Sequence, residues 1–385
     1  MDKLLTVPKS CIIILTKNAE QNTNNNGGVS VKRYKKSYFV FAALLIALTA
    51  VLYTGCQPSN NTNGNGNGNK TYTISDYYPF TANLKMVYEG VGNEYASKNV
   101  YVDYIKGDKI QLREDNGGTV AAKVLQVKDG QLVLLNSEGE SYQKEDITSM
   151  EAKTNEVLLK EPLQKGTSWT LADGSKRSIT GVDVDVTTPS GNYKALEVTT
   201  EYKDSVTKDY YAVGKGLVKS VFTSNGTEVS SSLKEFVKDA ALTQNIKIYN
   251  FQVTQTDIQV IFKEVAVSLK TNEEIKDVFQ KYFREPLGSG TGALMSQNTK
   301  INKIYKDAAN GKVYVDFSKQ FVTEMNAGTT KETGVIRSVT DTLGSYYNVD
   351  KVVINLDGGS YESGHILMGK DEPFTTDYNN VIEVK

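Results

Sequence analysis

His365 is the only histidine in the 385 residues, Cys11 and Cys56 are the only cysteines, and Trp169 is the only tryptophan. Zinc sites draw several ligands from His and Cys, so no two-histidine, four-cysteine or two-plus-two site can be built from this inventory. Any hydrolytic triad or dyad would have to converge on His365. That residue follows the turn-rich stretch Asp357-Gly358-Gly359, where an imidazole is expected to serve as a structural hydrogen-bonder. Asp316, Ser318 and Lys319 could be cast as a nucleophile with a base. Residues 318 and 319 point to opposite sides of a continuing strand, however, and Ser318 is well placed to cap a following helix. Asp183 and Asp185 resemble a pair of metal ligands only in type. On an alternating strand they occupy outward positions while Val182, Val184 and Val186 face in. Carboxylates alone suffice for glycoside hydrolysis, but no spacing here suggests a pair facing each other across a cleft. Gly214-Lys215-Gly216 has neither the spacing of a phosphate loop nor a following helix, and Gly288-Ser289-Gly290-Thr291-Gly292 comes after a helix rather than between strand and helix. Neither is expected to hold a nucleotide. The residue inventory therefore predicts no catalytic residue, no cofactor and no metal.

Chemistry of another kind is written at the amino terminus. Lys32, Arg33, Lys35 and Lys36 precede an uncharged apolar run over 38–53, and Thr54-Gly55-Cys56 follows. Basic, apolar and small residues in that order are the pattern of a secretory signal. The stretch Leu52-Tyr53-Thr54-Gly55-Cys56 resembles a bacterial lipobox, which implies that Cys56 receives a diacylglycerol and becomes the first residue of the mature chain. An uncleaved anchor also fits, since about 18 residues at roughly 1.5 Å each approach the thickness of a bilayer core. Residues 1–55 are thus expected to be a signal segment. Its first 28 residues are superfluous if initiation occurs at Val29 or Val31. Residues 56–71, rich in Asn and Gly, read as a flexible tether of roughly 20 to 25 Å root-mean-square length.

Formal net charge is −1, and seven of the 44 basic and two of the 45 acidic residues precede Cys56, which leaves about −6 beyond it. No basic field exists there to displace counterions from phosphates, so nucleic acid is not an expected partner. With Cys56 acylated and Cys11 removed, no thiol remains for a disulfide. Stability must come from hydrophobic cores, which the length permits.

Two folded regions are expected. Over 72–236, short segments of period two, at 99–105, 131–135, 182–186, 195–200 and 217–222, are bounded by turns such as Asp129-Gly130, Asn116-Gly117-Gly118 and Ala172-Asp173-Gly174. This reads as a β-rich antiparallel sheet, open and curved or closed into a half-barrel, with Trp169 in its core. Over 243–374 the period changes. Strands at 246–249 and 258–262 lead to a helix carrying Ile275, Val278, Phe279, Tyr282 and Phe283, with Thr271 and Glu274 as a capping box and Pro286 as its stop. Strands at 300–305 and 312–317 flank the Asn310-Gly311 turn. A second capping box, Thr329 with Glu332, opens a helix carrying Val335, Ile336, Val339 and Leu343, and a strand follows at 352–356. The order ββαββαβ predicts an α+β sandwich with helices on one face of a small sheet, followed by a tail over 375–385.

The run Lys312-Val313-Tyr314-Val315-Asp316-Phe317-Ser318-Lys319-Gln320-Phe321, the helix with Thr340, Thr342 and Leu343, the strand Val349-Asp350-Lys351-Val352-Val353-Ile354 and Gly364-His365-Ile366 resemble the GerMN domain of sporulation and spore-germination proteins. The resemblance covers about a third of the chain. It implies an exported, non-catalytic module that helps to assemble membrane complexes in spore-forming bacteria. The expectation is an extracytoplasmic lipoprotein on the outer face of the cytoplasmic membrane, held by membrane lipid through acylated Cys56 and binding protein partners of an envelope complex. An alternative is that the β region carries a lipid or other envelope component in a concavity of its sheet.

Overall fold

Dipeptides that tolerate left-handed backbone divide the first region into hairpins. Asp129 and Gly130 have φ of 50° and 67°, and Asn225 and Gly226 have φ of 48° and 77°, the conformation that a two-residue hairpin turn demands of both central residues. In the computed structural model, which describes residues 71–385 except Thr256, the resulting strands form one antiparallel sheet. The signal segment 1–55, Cys56 and the tether up to residue 70 lie outside the described residues. The strands are β1 (Leu84–Val91), β2 (Lys98–Lys106), β3 (Lys109–Asp115), β4 (Val120–Lys128), β5 (Gln131–Glu138), β6 (Glu156–Lys160), β7 (Ser168–Thr170), β8 (Lys176–Thr188), β9 (Gly191–Glu201), β10 (Ser205–Ala212), β11 (Gly216–Ser224) and β12 (Thr227–Lys238). Each pairs with its neighbours in the chain, with one exception: β6 and β7 are the two ends of the sheet, and β1 pairs with β12.

The two ends meet without a backbone ladder. Trp169 Nε1 on β7 donates to the carbonyl of Val157 on β6 at 3.0 Å. Arg177 of β8 donates to the same carbonyl at 2.7 Å and to Glu156 Oε1 at 2.8 Å. The sheet therefore curls into a nearly closed barrel whose last seam is held by side chains. Inside lie Ile110, Leu132, Leu159, Val198, Val218 and Leu233, and the short helix α1 (Ile74–Tyr77) adds Ile74 and Tyr77 to the same core.

The inward alternation expected for Val182 is not found. Val182 is 41% exposed, because the β8–β9 register slips between Gly181 and Val184 and Asp183 sits at φ 56°. A bulge of this kind interrupts the two-residue period and turns the side chain outward. Asp183 and Asp185 are exposed, and Asp185 pairs with Lys194 at 2.8 Å.

Beyond the barrel, β13 (Leu242–Val253) and β14 (Ile258–Leu269) form a long hairpin, followed by α2 (Ile275–Phe283), β15 (Ile301–Asp307), β16 (Lys312–Phe317), α3 (Gln320–Thr323), α4 (Thr329–Tyr347) and β17 (Lys351–Leu356). Three two-residue strands complete the region: β18 (Gly359–Ser360), β19 (Phe374–Thr375) and β20 (Ile382–Glu383). Two sheets form here, where one small sheet was expected. One contains β13, β14 and β20, and the other contains β15 to β19, with β16 and β17 parallel. Helix α4 packs against both, and its residues Gly334, Val335, Ile336, Val339 and Leu343 are buried. At Gly334 there is no room for more than hydrogen, since an added Cβ would lie 2.6 Å from the Phe251 ring.

The chain after β19 straps across α4. Arg337 donates to the carbonyls of Asp377 and Asn379, and buried Asp341 accepts from the Asp377 amide at 2.8 Å. Burial raises the Asp341 carboxyl from its ordinary 3.8 to about 6, against the pull of the Asp377 amide and Arg337. The folded chain thus keeps a proton that the unfolded chain has lost between about pH 4 and pH 6. The stability contributed by this group is fully present below about pH 4 and falls as pH rises through 6, by up to about 3 kcal/mol. In denaturant titrations at pH 4.5 and pH 7, Asp341→Asn should reduce the loss of stability across that interval.

Candidate functional site

The barrel and the mixed region meet through polar groups. Thr271, expected with Glu274 to form the capping box of α2, lies before the helix, as does Asn272. The helix begins at Ile275 with Glu274 at its N-cap and no side-chain cap. Thr271 Oγ1 instead donates to the carbonyl of Val102 and accepts from the amide of Asn83, both at 2.7 Å, and Asn83 Oδ1 accepts from the Thr271 amide at 3.0 Å. Asn272 Oδ1 accepts from the Ile105 amide at 2.8 Å, and its own amide donates to the Asp103 carbonyl at 2.9 Å. The supposed cap is therefore a cross-link to Asn83, just before β1, and to β2.

At the centre of this junction is Lys144, 1% exposed. Its Nζ donates to the carbonyls of Glu273 at 2.5 Å and Lys270 at 3.2 Å, and lies 4.2 Å from the centre of the Tyr104 ring. Burial lowers its pKa to about 8, although Asp103 nearby favours the charged form. Asp103 is buried in turn and paired with Arg113 at 3.0 Å. Burial raises the Asp103 carboxyl despite that guanidinium. The rest of the Arg113 fork donates to the carbonyls of Ser141 and Gln143. Two strands of the barrel thus grip the segment after β5, which itself grips the mixed region. Tyr346 of α4 closes the contact, its hydroxyl accepting from the Lys144 amide at 3.0 Å and its carbonyl accepting from Gln143 Nε2 at 2.9 Å.

Beside the junction runs a groove of about 320 Å³. One wall is residues 302–306 of β15, and the other is formed by Glu145, Asp146, Ile147 and Met150. Consecutive residues of a strand alternate between its faces, so a groove touching five in succession follows the strand's edge. β15 is the end strand of its sheet.

Glu332 does not cap α4, whose N-cap is Gly328 without a side-chain cap. Its carboxylate is buried and accepts from Tyr361 Oη at 2.6 Å, with Oε2 at 2.7 Å from His365 Nδ1. Tyr361, Ser363 and His365 together hold the Glu332 carboxyl below its ordinary range, outweighing burial. His365 is thus a structural partner of a buried carboxylate, with 39% of its side chain exposed. Ser318 is not a helix cap either: α3 starts with Lys319 as its N-cap, and Ser318 Oγ accepts from the Lys300 amide at 3.0 Å. Asp316 accepts from the Gly358 amide at 2.7 Å and from Asn302 at 3.0 Å, which fixes the turn after β17. Gly214 and Gly216 lie in the β10–β11 hairpin. Among the described residues no group of three or more His, Cys, Asp or Glu could hold a metal ion. A cavity in the barrel, lined by Leu84, Met86, Val102 and Ile110 among others, is about 20 Å³, room for one water. Sequence reasoning missed Lys144 and Asn83 altogether; the buried position of a Lys next to acidic residues leaves no local pattern to find.

Residues 236–362 match the family Germane, described as sporulation and spore germination. Among solved structures, the tandem GerMN domains of the sporulation protein GerM from Bacillus subtilis are 19% identical with a TM-score of 0.26, covering 35% of this chain and 46% of that one. The chain thus spans less than half of that structure. A candidate lipoprotein from Clostridium perfringens is 18% identical with a TM-score of 0.23, over 35% of this chain and 87% of that one. A candidate exported protein with a YmcC-like fold from Bacteroides fragilis is 12% identical with a TM-score of 0.26, over 42% of this chain and 98% of that one. No curated protein matches the sequence.

Proposed function

With residues 236–362 a domain of the Germane type, we propose that the chain is a non-catalytic assembly module of the cell envelope, working in sporulation or germination. In this reading Cys56 carries the lipid, residues 56–71 form the tether, and the folded chain stands outside the cytoplasmic membrane. There it binds protein partners of an envelope complex. The division into a barrel at 72–236, a mixed domain at 243–374 and a tail at 375–385 belongs to the same proposal.

The observation that carries the reading is the family match over 236–362. Two features support it. The side chains with reactive potential are engaged in structural bonds, His365 with Glu332 and Ser318 with Lys300. The barrel interior is filled by its own side chains, which favours assembly over carriage of a lipid. Among the described residues no helix is long and apolar enough to cross a membrane; the proposed attachment is at Cys56, which precedes them.

Growth with an alkyne-bearing fatty acid tests the anchor. The native chain should carry the label and sediment with membranes, whereas Cys56→Ser should carry none. Crosslinking in sporulating cells should join the chain to at least one other envelope protein. An unlabelled native chain in the cytosol, or a chain that stays alone under crosslinking, would overturn the proposal.

A further inference from the structure

The groove beside β15 has an acidic group at one end. Burial raises the carboxyl of Glu145 on the opposite wall, and the nearby charge and backbone amide of Lys306 pull it back down. This carboxyl stands against the Lys306 end of the strand edge. The edge period of a strand is two residues, so Ile304 presents its amide to the same side. No backbone bond to β15 comes from that side among the described residues.

Charge selects the kind of strand that fits. Lys300 and Lys303 are exposed, and no carboxylate pairs with either among the described residues. Lys303 lies 4.4 Å from the centre of the Tyr305 ring, which is itself stacked on Tyr314. The acidic groups of the groove are committed: Glu274 to Lys276 at 2.8 Å, and Asp146 to the amide and hydroxyl of Thr148. Lysines on an exposed edge oppose pairing with a second copy, because identical charges would meet. The same lysines attract an extended segment that carries carboxylates.

We propose that the free edge of β15 is the docking site for an extended acidic segment of a partner protein, added to the sheet as a further strand. The inference rests on the assembly reading above and specifies the edge and the charge of the partner. Glu145 marks where the added strand stops, and Met150, 41% exposed, offers an apolar contact to its outer side chains.

Two fluorescent peptides of roughly ten residues serve as probes, one alternating valine with glutamate and one alternating valine with lysine. Each is titrated against the purified full chain by anisotropy. The glutamate peptide should bind, slow hydrogen exchange at Ile304, and weaken about tenfold in the double variant Lys300→Glu, Lys303→Glu. The variant's melting temperature should be unchanged. The inference fails if the lysine peptide binds as well as the glutamate peptide, if neither binds, if protection falls elsewhere, or if the chain dimerises through β15. Crosslinks in cells that form away from residues 300–306 would sink the docking edge while leaving the assembly reading intact. Peptide binding by a chain that crosslinks to nothing in cells would do the reverse.

Discussion

Lys144→Met should lower the stability of the folded chain by about 3 to 5 kcal/mol and separate its unfolding into two transitions. The carbonyls of Lys270 and Glu273 would lose their shared donor, and Asp103 would keep only Arg113 as a positive neighbour. Removing one member of a buried charged network leaves the others desolvated and uncompensated, which is the costly half of such an arrangement. The effect should concentrate at the junction, because Lys144 touches both the barrel and the segment leading into α2. Calorimetry would show the barrel and the mixed region melting apart. Thr271→Val, which removes a weaker bridge to Asn83 and Val102, should cost about 1 to 2 kcal/mol and leave a single transition. A Lys144→Met chain with unchanged stability would mean that the junction holds nothing together.

Arg177→Met is the second substitution with a large expected effect. Arg177 is buried and joins β8 to the far end of the sheet through Val157 and Glu156, while its Nε donates to Thr200 at 2.7 Å. Its loss should cost about 3 kcal/mol. The change in hydrogen exchange should be local: faster in β6 and β7, little altered in β1 and β12, which are held by a backbone ladder. Trp169→Phe keeps the apolar bulk and removes only the donor to Val157. It should cost about 1 kcal/mol, since Arg177 still supplies that carbonyl. Uniform acceleration across all twelve strands of the sheet after Arg177→Met would show that the seam is not a separate element.

These outcomes bear on how far the sequence could be read. The hairpins at Asp129-Gly130 and Asn310-Gly311 were legible because a turn dipeptide and a two-residue period are both local signals. The α2 helix was legible for the same reason: Ile275, Phe279 and Phe283 are spaced for one face, and all three are buried. Both capping boxes were misread. The pattern Thr-x-x-Glu states which groups could bond locally, and it is silent about better partners far along the chain. Thr271 found Val102, 169 residues away, and Glu332 found Tyr361 and His365. The second sheet was hidden because β20 is only two residues long and joins β14 in parallel, a pairing with no sequence signature. The engagement of His365 with a carboxylate fits the structural role read for it, but the carboxylate's identity depended on the turn that brings residue 365 back to the start of α4.

The pairing of β1 with β12 has a mechanical consequence. Leu84, where the chain enters the barrel, lies opposite Lys238, where it leaves, and the Ala240 amide donates to the Asn83 carbonyl just outside that pair at 2.8 Å. A pull applied between the segment before Leu84 and the region after Lys238 would be borne by this ladder together with the Thr271 and Asn272 bonds to β2 and the Lys144 junction. The seam between β6 and β7 lies off that load path. The barrel can then be slack or strained at its seam without altering how tension passes from the segment before Leu84 to the region after Lys238.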